Sequence, residues 1–430
     1  MQSRPPGLAK AIRLRNAVAL YSSSVLGSGI LVLPGLTAQI AGPGSILAWI
    51  LLSFASYPFA ITFASLSARR PESGGVYSFA KEAFGFRVAA VTGWLFFLWE
   101  LTGAPAVALI AASYVQFAFA LGRAETFIIA IGIVLAAFLI NYRGIVISNK
   151  VQLAIIASIV ALLLVAIVSS SLAVQMESFI PFFPNGLLPV GTAAALIFWS
   201  YLGYENVSNV AEEFEHPERD FRRAVVLSIV LIGVLYTSVA FVTVGTRAYE
   251  AGGSVAPFAA ILSKFLGIYG AAATASLAAM IIFGLINAYT TGMSRVLYAT
   301  ARDGGLPKAL AHVGSRTGVP DHALTAMFVG TIPVFLFYYV TNTNLETALL
   351  VSSGSAILIY VIGFAAGIKI FGAQGDARKR WLSAISLVIS LLVLPFVGPG
   401  LVVATSVALA ALGYTRLVRP RNGSRSSASP

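Results

Sequence analysis

Apolar runs of about membrane-spanning length, separated by short polar segments, repeat along the chain from residue 14 to residue 417. A helix needs about 20 predominantly apolar residues to cross the hydrocarbon core of a bilayer. The pattern therefore predicts an all-α integral membrane protein with twelve transmembrane helices. Their predicted bounds are 14–40, 44–68, 87–117, 125–141, 149–173, 189–211, 223–246, 268–300, 322–340, 346–370, 382–397 and 400–417.

Two of these runs are broken at glycine. The first run contains Gly27 and Gly29 ahead of Pro34, and the sixth contains Gly203 shortly before Glu205. Hydrocarbon offers no hydrogen-bond partners, so a membrane helix is broken only where the freed backbone groups line a polar cavity. Matched breaks at the start of each half of the chain point to the substrate site of a transporter.

The spacing of the breaks divides the first ten predicted helices into five plus five. An odd number of spans inverts the second half relative to the first, which predicts inverted repeats at about 14–173 and 189–370. The extra helices lie at about 382–417. We interpret residues 1–419 as a single transmembrane domain, followed by a disordered Ser/Arg/Pro-rich cytoplasmic tail at 420–430.

Composition and charge placement agree with a membrane protein. Apolar residues make up 58% of the chain and charged residues only 10%, against roughly 25% charged in soluble domains. The net charge of +12 is a topology signal rather than a nucleic-acid footprint. If the N-terminus is cytoplasmic, only Arg123, Arg247 and Lys264 of the 28 basic residues face outward. This bias predicts cytoplasmic N- and C-termini in the cell membrane and contacts with anionic lipid headgroups.

Several ordered motifs resemble bacterial amino-acid permeases of the amino acid–polyamine–organocation superfamily. They lie at 25–30, 73–77, 198–205, 213–219 and 294–307. The stretches 91–96 and 218–224 resemble in particular the subgroup that exports methionine and branched-chain amino acids. The resemblance implies the leucine-transporter fold, with a 5+5 inverted repeat, broken helices 1 and 6, and alternating access.

An amino acid is a zwitterion, so its site needs donors for the carboxylate and acceptors for the ammonium. The half-helix after Gly27 presents unpaired N–H groups and the positive end of its dipole. The expected donors are Ser28, Gly29 and Ile30, and the expected carbonyl acceptors are those of Val25, Leu26, Trp199 and Leu202, where Gly27 and Gly203 break the helices. The alternative is that the glycines only allow close helix packing.

Aromatic residues beside the second break are candidate gates. Trp199 is expected either to cap the substrate or to anchor the helix at the membrane interface. Tyr201 is a second candidate gate, with a packing role as the alternative.

Only two carboxylates, Glu100 and Glu205, fall within the predicted spans. An ionisable group at bilayer depth is costly and usually has a function or a partner. Glu205 suits either a helix cap or proton coupling. Glu100 suits a proton acceptor, a substrate contact or a paired residue, and it stands where the exporter-like relatives are expected to carry an apolar residue.

The resemblance also bears on the coupling ion. Some relatives carry a lysine in span 5 in place of sodium, and this chain has Ser158 at that position. Sodium therefore stays open beside the proton, with Thr290, Thr291 and Ser294 as candidate oxygen donors. The alternative is that these hydroxyls bond backward to their own helix.

The spans offer no acid cluster for a cationic side chain and no spare cations for an acidic one. We therefore expect a neutral substrate, with an aliphatic or sulfur-containing side chain. Proton-coupled export is the favoured mode, with import or exchange as alternatives.

An enzyme or a channel is disfavoured, since the chain has no catalytic motif and no charged pore stripe. The absence of cysteine excludes disulfides. His216, His312 and His322 lie in loops or at a span edge, so no metal or cofactor is predicted.

Overall fold

The computed structural model describes residues 25–69, 75–144, 149–204, 217–250 and 253–417. Within these ranges all regular secondary structure is helical. The α-helices are α1 (Ser28–Ala41), α2 (Ser45–Arg69), α3 (Val76–Phe84), α4 (Phe86–Phe119), α5 (Arg123–Tyr142), α6 (Asn149–Ser171), α7 (Leu188–Ser200), α8 (Pro217–Gly245), α9 (Pro257–Arg302), α10 (Asp321–Val340), α11 (Leu345–Ala373), α12 (Ala377–Val393) and α13 (Pro399–Leu417).

Each of the twelve predicted apolar segments contains a helix. In the described ranges, nine helical stretches are long and apolar enough to cross a membrane, and one of them, Ser28–Arg69, holds both α1 and α2. Ala157–Ser171 in α6 and Leu188–Ser200, which is α7, are shorter apolar helices. The all-α membrane class is thereby confirmed, while twelve crossings and the 5+5 repeat stay predictions.

Two helical segments were not expected from hydropathy. Helix α3 lies in the predicted loop between spans 2 and 3, and it buries one face that includes Val76, Tyr77 and Phe79. Helix α9 begins at Pro257 instead of near residue 268, and it bends at Gly267, where φ is +57°. Helix α3 has only nine residues, and the part of α9 before Gly267 is short and contains Ser263 and Lys264, so neither stands out as a membrane span.

The helices around the two breaks form two packed groups. Helices α1, α2, α7 and α8 contact one another, and so do α4, α5, α9 and α10. The most extensive helix pair joins α4 to α9. Helix α4 is central, since 83% of its most apolar 18-residue stretch is buried, whereas only 22% of the corresponding stretch of α13 is buried.

The outer surface carries large apolar side chains. On α10, Ile332, Leu336, Phe337 and Val340 are 51% to 68% exposed. A contiguous apolar patch of this kind is rare on soluble monomers. It suits a helix that faces lipid.

Aromatic packing fixes the end of α7 next to its break. Phe59 and Phe63 of α2, Phe198 of α7, and Tyr360 and Phe364 of α11 form one cluster, with contacting ring centroids 4.8 to 6.4 Å apart. Aromatic pairs at such distances add to the stability gained from burial alone. The cluster holds the last turn of α7 between α2 and α11.

Candidate functional site

The first break lies directly before α1. Leu26 and Gly27 are not helical, and Gly27 is extended with φ of −126° and ψ of −147°. No side chain caps the helix that starts at Ser28. The first turn of a helix has N–H groups without an intrahelical acceptor, so the N–H groups after Gly27 are placed to bind an anion.

The second break follows α7. The chain turns at Tyr201, whose N–H donates to the Phe198 carbonyl over 3.0 Å, and Leu202 N–H donates to the Trp199 carbonyl over 3.2 Å. Gly203 has φ of +117°, a conformation that side chains disfavour. Its N–H donates to the Tyr360 hydroxyl over 3.0 Å, which ties the break to α11.

The two breaks lie against each other. A Cβ atom on Gly29 would be 2.2 Å from Ser200 Oγ and 3.0 Å from Ser200 Cα. Only glycine allows this approach, so the helix-packing role proposed as the alternative for the glycines is present at Gly29. Packing and ligand binding are compatible here, because the close approach is what brings the two breaks to one place.

Hydrogen bonds also join the two breaks. Trp199 Nε1 donates to Ser28 Oγ over 3.0 Å. From α8, the hydroxyl of Tyr236 lies 2.9 Å from the Val25 carbonyl oxygen and 3.3 Å from that of Ser200. Side chains thus connect the residues that flank one break to those that flank the other.

A cavity opens between the two breaks and the helices α4 and α9, with a volume of about 50 Å³. This is room for a few ordered water molecules. The lining consists of Val25, Gly27, Ser28, Gly29, Trp99, Glu100, Gly103, Ala104, Val107, Trp199, Leu202, Leu285, Ile286, Tyr289 and Met293.

The structure brings most predicted binding residues to this cavity, but not all of them. Val25, Gly27, Ser28, Gly29, Trp199 and Leu202 line it. Leu26 and Ile30 are buried behind the lining. Gly203 is held on the side of Tyr360 and does not line the cavity.

Tyr201 lies away from the cavity. Its side chain is fully buried, and its hydroxyl is 2.6 Å from Ser53 Oγ of α2. Its ring packs on Trp49 and Tyr236. This position agrees with a packing role for Tyr201, which was the alternative to a gate.

Aromatic rings from three helices surround the cavity. The Trp99 ring is 6.1 Å from that of Trp199 and 5.8 Å from that of Tyr289, both in edge-to-face orientation. Gly103 makes room for this arrangement, since a Cβ there would be 3.3 Å from the Trp199 ring. Trp99 and Tyr289 were not expected from the sequence, although Leu285, Tyr289 and Met293 share a helical spacing of four residues.

Glu100 is the one carboxylate among the described residues that lines the cavity. It is 5% exposed, and its Oε1 accepts a hydrogen bond from Thr290 Oγ1 over 2.7 Å. This bond links α4 to α9. No basic side chain within the described ranges forms an ion pair with it, so its only described polar partner is a hydroxyl.

The other coupling candidates lie in different surroundings. Thr291 Oγ1 lies within hydrogen-bond distance of Asn141 Oδ1 and, at 2.7 Å, of the Asn287 carbonyl oxygen, and it has one hydrogen to donate to them. Ser294 Oγ donates to the Thr291 carbonyl over 2.9 Å. Ser158 is half-buried on α6 and does not line the cavity. Glu205 lies outside the described residues.

A buried amide pair was missed by the sequence reasoning. Asn141 Nδ2 of α5 donates to Asn287 Oδ1 of α9 over 2.8 Å. Together with Thr291, the pair forms a polar cluster one residue along α9 from the Glu100–Thr290 bond. Buried asparagines inside predicted spans were a signal that this contact exists.

Comparison with known proteins bears on the family of this chain. A family model described as amino acid permease matches residues 12–415. The chain is 32% identical over 409 residues to the uncharacterized amino acid permease YecA of Bacillus subtilis, which covers 95% of this chain and 96% of that protein. It is 31% identical over 396 residues to the L-methionine/branched-chain amino acid exporter YjeH of Escherichia coli, covering 91% and 93%.

A third relative is the branched-chain amino acid permease BcaP of Bacillus subtilis, 28% identical over 363 residues, covering 78% of this chain and 76% of that protein. The family and these relatives are transporters, not enzymes. The apolar helices fit a multi-pass membrane protein. This chain therefore belongs to the amino acid permease family.

Proposed function

We propose that this chain is a secondary transporter that carries neutral amino acids with aliphatic or sulfur-containing side chains across the cytoplasmic membrane by alternating access. The observation that carries the proposal is the pair of helix breaks that meet at one cavity. Its polar groups belong mainly to the backbone of the breaks, and its other walls are mainly apolar and aromatic.

The main chain of both breaks supplies recognition of the zwitterion in this proposal. The N–H groups of Ser28, Gly29 and Ile30 bind the carboxylate at the start of α1. The carbonyls of Val25, Leu26, Trp199 and Leu202 receive the ammonium. Trp199 Nε1, which donates to Ser28 Oγ, transfers its hydrogen bond to the same carboxylate in this proposal.

The lining supports a neutral side chain as the substrate class. Val107, Leu285, Ile286 and Met293 present apolar surface to the cavity. Burying an anionic side chain there without a partner is costly. A cationic side chain would meet a single described carboxylate, that of Glu100, which this proposal assigns to proton coupling. The names of two relatives, a methionine/branched-chain exporter and a branched-chain permease, agree with this class.

Glu100 is the proposed site of proton coupling, because it is a buried carboxylate that reaches the cavity and has a hydroxyl as its described partner. Export is the proposed direction, in line with the name of the exporter relative, and protons are the proposed coupling ion. Import and exchange are the alternatives. Sodium coupling is the alternative, with Thr290, Thr291 and Ser294 as candidate oxygen donors, whose hydrogens point to Glu100, Asn141 and backbone carbonyls.

Two rigid groups supply the motion in this proposal. The group α1, α2, α7 and α8 carries the two breaks, and the group α4, α5, α9 and α10 carries the opposite wall. Rocking of one group against the other opens the site to each side in turn. The placement of basic residues orients the termini toward the cytoplasm.

The test is counterflow of radiolabelled methionine and leucine into proteoliposomes, with and without a pH or sodium gradient. We expect saturable exchange in which methionine and leucine compete, while lysine and glutamate do not. A pH gradient should drive net flux, and a sodium gradient should not. Saturable exchange without a pH effect would contradict the proposed proton coupling but not the proposal that the chain is an amino-acid carrier.

Matched variants make the site assignment testable. Ser28→Trp places an indole in the cavity and should abolish exchange. Ser276→Trp places the same indole on the exposed face of α9 and should leave exchange unchanged. If purified, monodisperse protein exchanges no amino acid, or if Ser28→Trp transports normally, the proposed site is wrong.

A further inference from the structure

Two of the three histidines of the chain come together in the loop between α9 and α10. His312 follows a short 3₁₀ turn at Lys308–Ala311, and His322 is the second residue of α10. Their rings stack with centroids 4.2 Å apart and an angle of 23° between planes. Asp321 lies beside them, with its Oδ1 2.7 Å from His312 Nδ1.

Hydrogen bonds fix one nitrogen of each ring. His322 Nδ1 is 2.9 Å from the carbonyl oxygen of Ala309. A carbonyl only accepts, so this Nδ1 carries the hydrogen. His312 Nδ1 donates to the Asp321 carboxylate, which also accepts from the His322 backbone N–H over 2.9 Å. With these bonds in place, Nε2 of each ring has no described hydrogen bond. To share one ion with Asp321, the exposed His312 ring rotates and exchanges its bond to the carboxylate for a bond to the ion.

The spacing of the three groups suits one ion. One ligand atom from each of His312, Asp321 and His322 lies within 4.8 Å of the other two. Ligand atoms around a tetrahedral zinc ion are about 3.4 Å apart, given bonds of about 2.0 to 2.1 Å. To share one zinc ion, the ligand atoms must therefore approach one another by at most about 1.4 Å. Both imidazoles are exposed, which leaves them room to rotate.

We propose that His312, Asp321 and His322 bind a divalent transition-metal ion. Imidazole with carboxylate suits zinc, nickel or copper, whereas magnesium and calcium prefer all-oxygen sites. The chain contains no cysteine and only three histidines, so no thiolate competes. A bound ion would join the segment after α9 to the first turn of α10, whether or not the proposed substrate is correct.

The experiment is calorimetric titration of Zn²⁺ into purified full-length protein in detergent at pH 7.5, with a histidine-free affinity tag. We expect one ion per chain, and at least a tenfold loss of affinity in His312→Gln and in His322→Gln. The matched control is His216→Gln, the remaining histidine, which should bind as the wild type does. Mg²⁺ should give no binding, because it prefers all-oxygen sites.

The double variant His312→Gln/His322→Gln measures how much Zn²⁺ binds to the rest of the protein. If wild-type protein binds Zn²⁺ no more tightly than monodisperse double variant, the proposal is overturned. It is also overturned if His216→Gln removes binding to the same extent. Asp321→Asn keeps an acceptor for the His322 N–H, so a tenfold weaker affinity in this variant would support the carboxylate's part in the site, and an unchanged affinity would remove Asp321 from it.

Discussion

Replacing Gly29 with alanine tests whether close contact between the two breaks is needed for transport. The new Cβ would lie 2.2 Å from Ser200 Oγ and 3.0 Å from both Cα and Cβ of Ser200. Rotation of the hydroxyl relieves the first contact only. Because the other two contacts involve the backbone and the first side-chain carbon, α1 and α7 must separate by several tenths of an ångström.

The size of the effect follows from this overlap. Overpacking of a well-packed interior costs about 1 to 3 kcal/mol, and about 1.4 kcal/mol corresponds to a tenfold change. If the strain falls on the substrate-bound arrangement, counterflow at low methionine concentration should drop by about 5- to 150-fold. The assay is methionine counterflow in proteoliposomes containing equal amounts of protein.

Two further variants control this experiment. Gly292→Ala adds the same methyl group on α9, where no atom lies within 4 Å, and it should transport as the wild type does. Ser200→Gly removes Oγ and Cβ, so combining it with Gly29→Ala should restore part of the activity. Normal counterflow by monodisperse Gly29→Ala protein would refute the reasoning that the two breaks must touch.

Three other predictions concern single side chains. Tyr236→Phe removes the hydroxyl between the breaks and should lower the maximal transport rate several-fold; a rate equal to that of a control at exposed Tyr269→Phe would contradict this. Glu100→Gln keeps an acceptor for a hydroxyl, so counterflow should persist while pH-driven flux disappears, and surviving pH-driven flux would show another coupling group. Burial opposes ionisation of Asp303, but hydrogen bonds from Lys81 and Tyr77 outweigh it and lower the pKa of this carboxyl. Its stabilising effect is therefore full above the ordinary carboxyl pKa near 3.9 and is lost as pH falls through the lowered pKa. Asp303→Asn should therefore lower the melting temperature at pH 7 and at pH 5 alike, and an unchanged melting temperature at pH 7 would show that the contact is not stabilising.

The sequence was sufficient to locate the breaks and the residues next to them. Glycine pairs inside apolar runs have few explanations, so Gly27, Gly29 and Trp199 could be assigned to one site from the order of residues alone. The length of the apolar runs also placed a helix in each of the twelve segments. These features are local, and local patterns are what a single sequence records.

The opposite wall of the cavity could not be predicted in the same way. Trp99, Tyr289 and Met293 lie in helices that are apolar on every side, so their sequence neighbours do not indicate which face meets the breaks. Tyr201 shows the opposite case. Its position near Gly203 predicted a place at the cavity, but its hydroxyl is hydrogen-bonded to Ser53 instead. Likewise, His312 and His322 meet only because the loop returns to the start of α10.

Tyr236 gives the contact between the two breaks a property that a fixed bond would lack. A phenol has one hydrogen to donate, yet two carbonyl oxygens, of Val25 and Ser200, lie within its reach at 2.9 Å and 3.3 Å. The hydroxyl therefore has an acceptor on each side of the contact, so a shift that lengthens one distance still leaves the other carbonyl to accept its hydrogen. A buried donor beside the two breaks thus keeps a partner, which avoids the cost of leaving it unpaired.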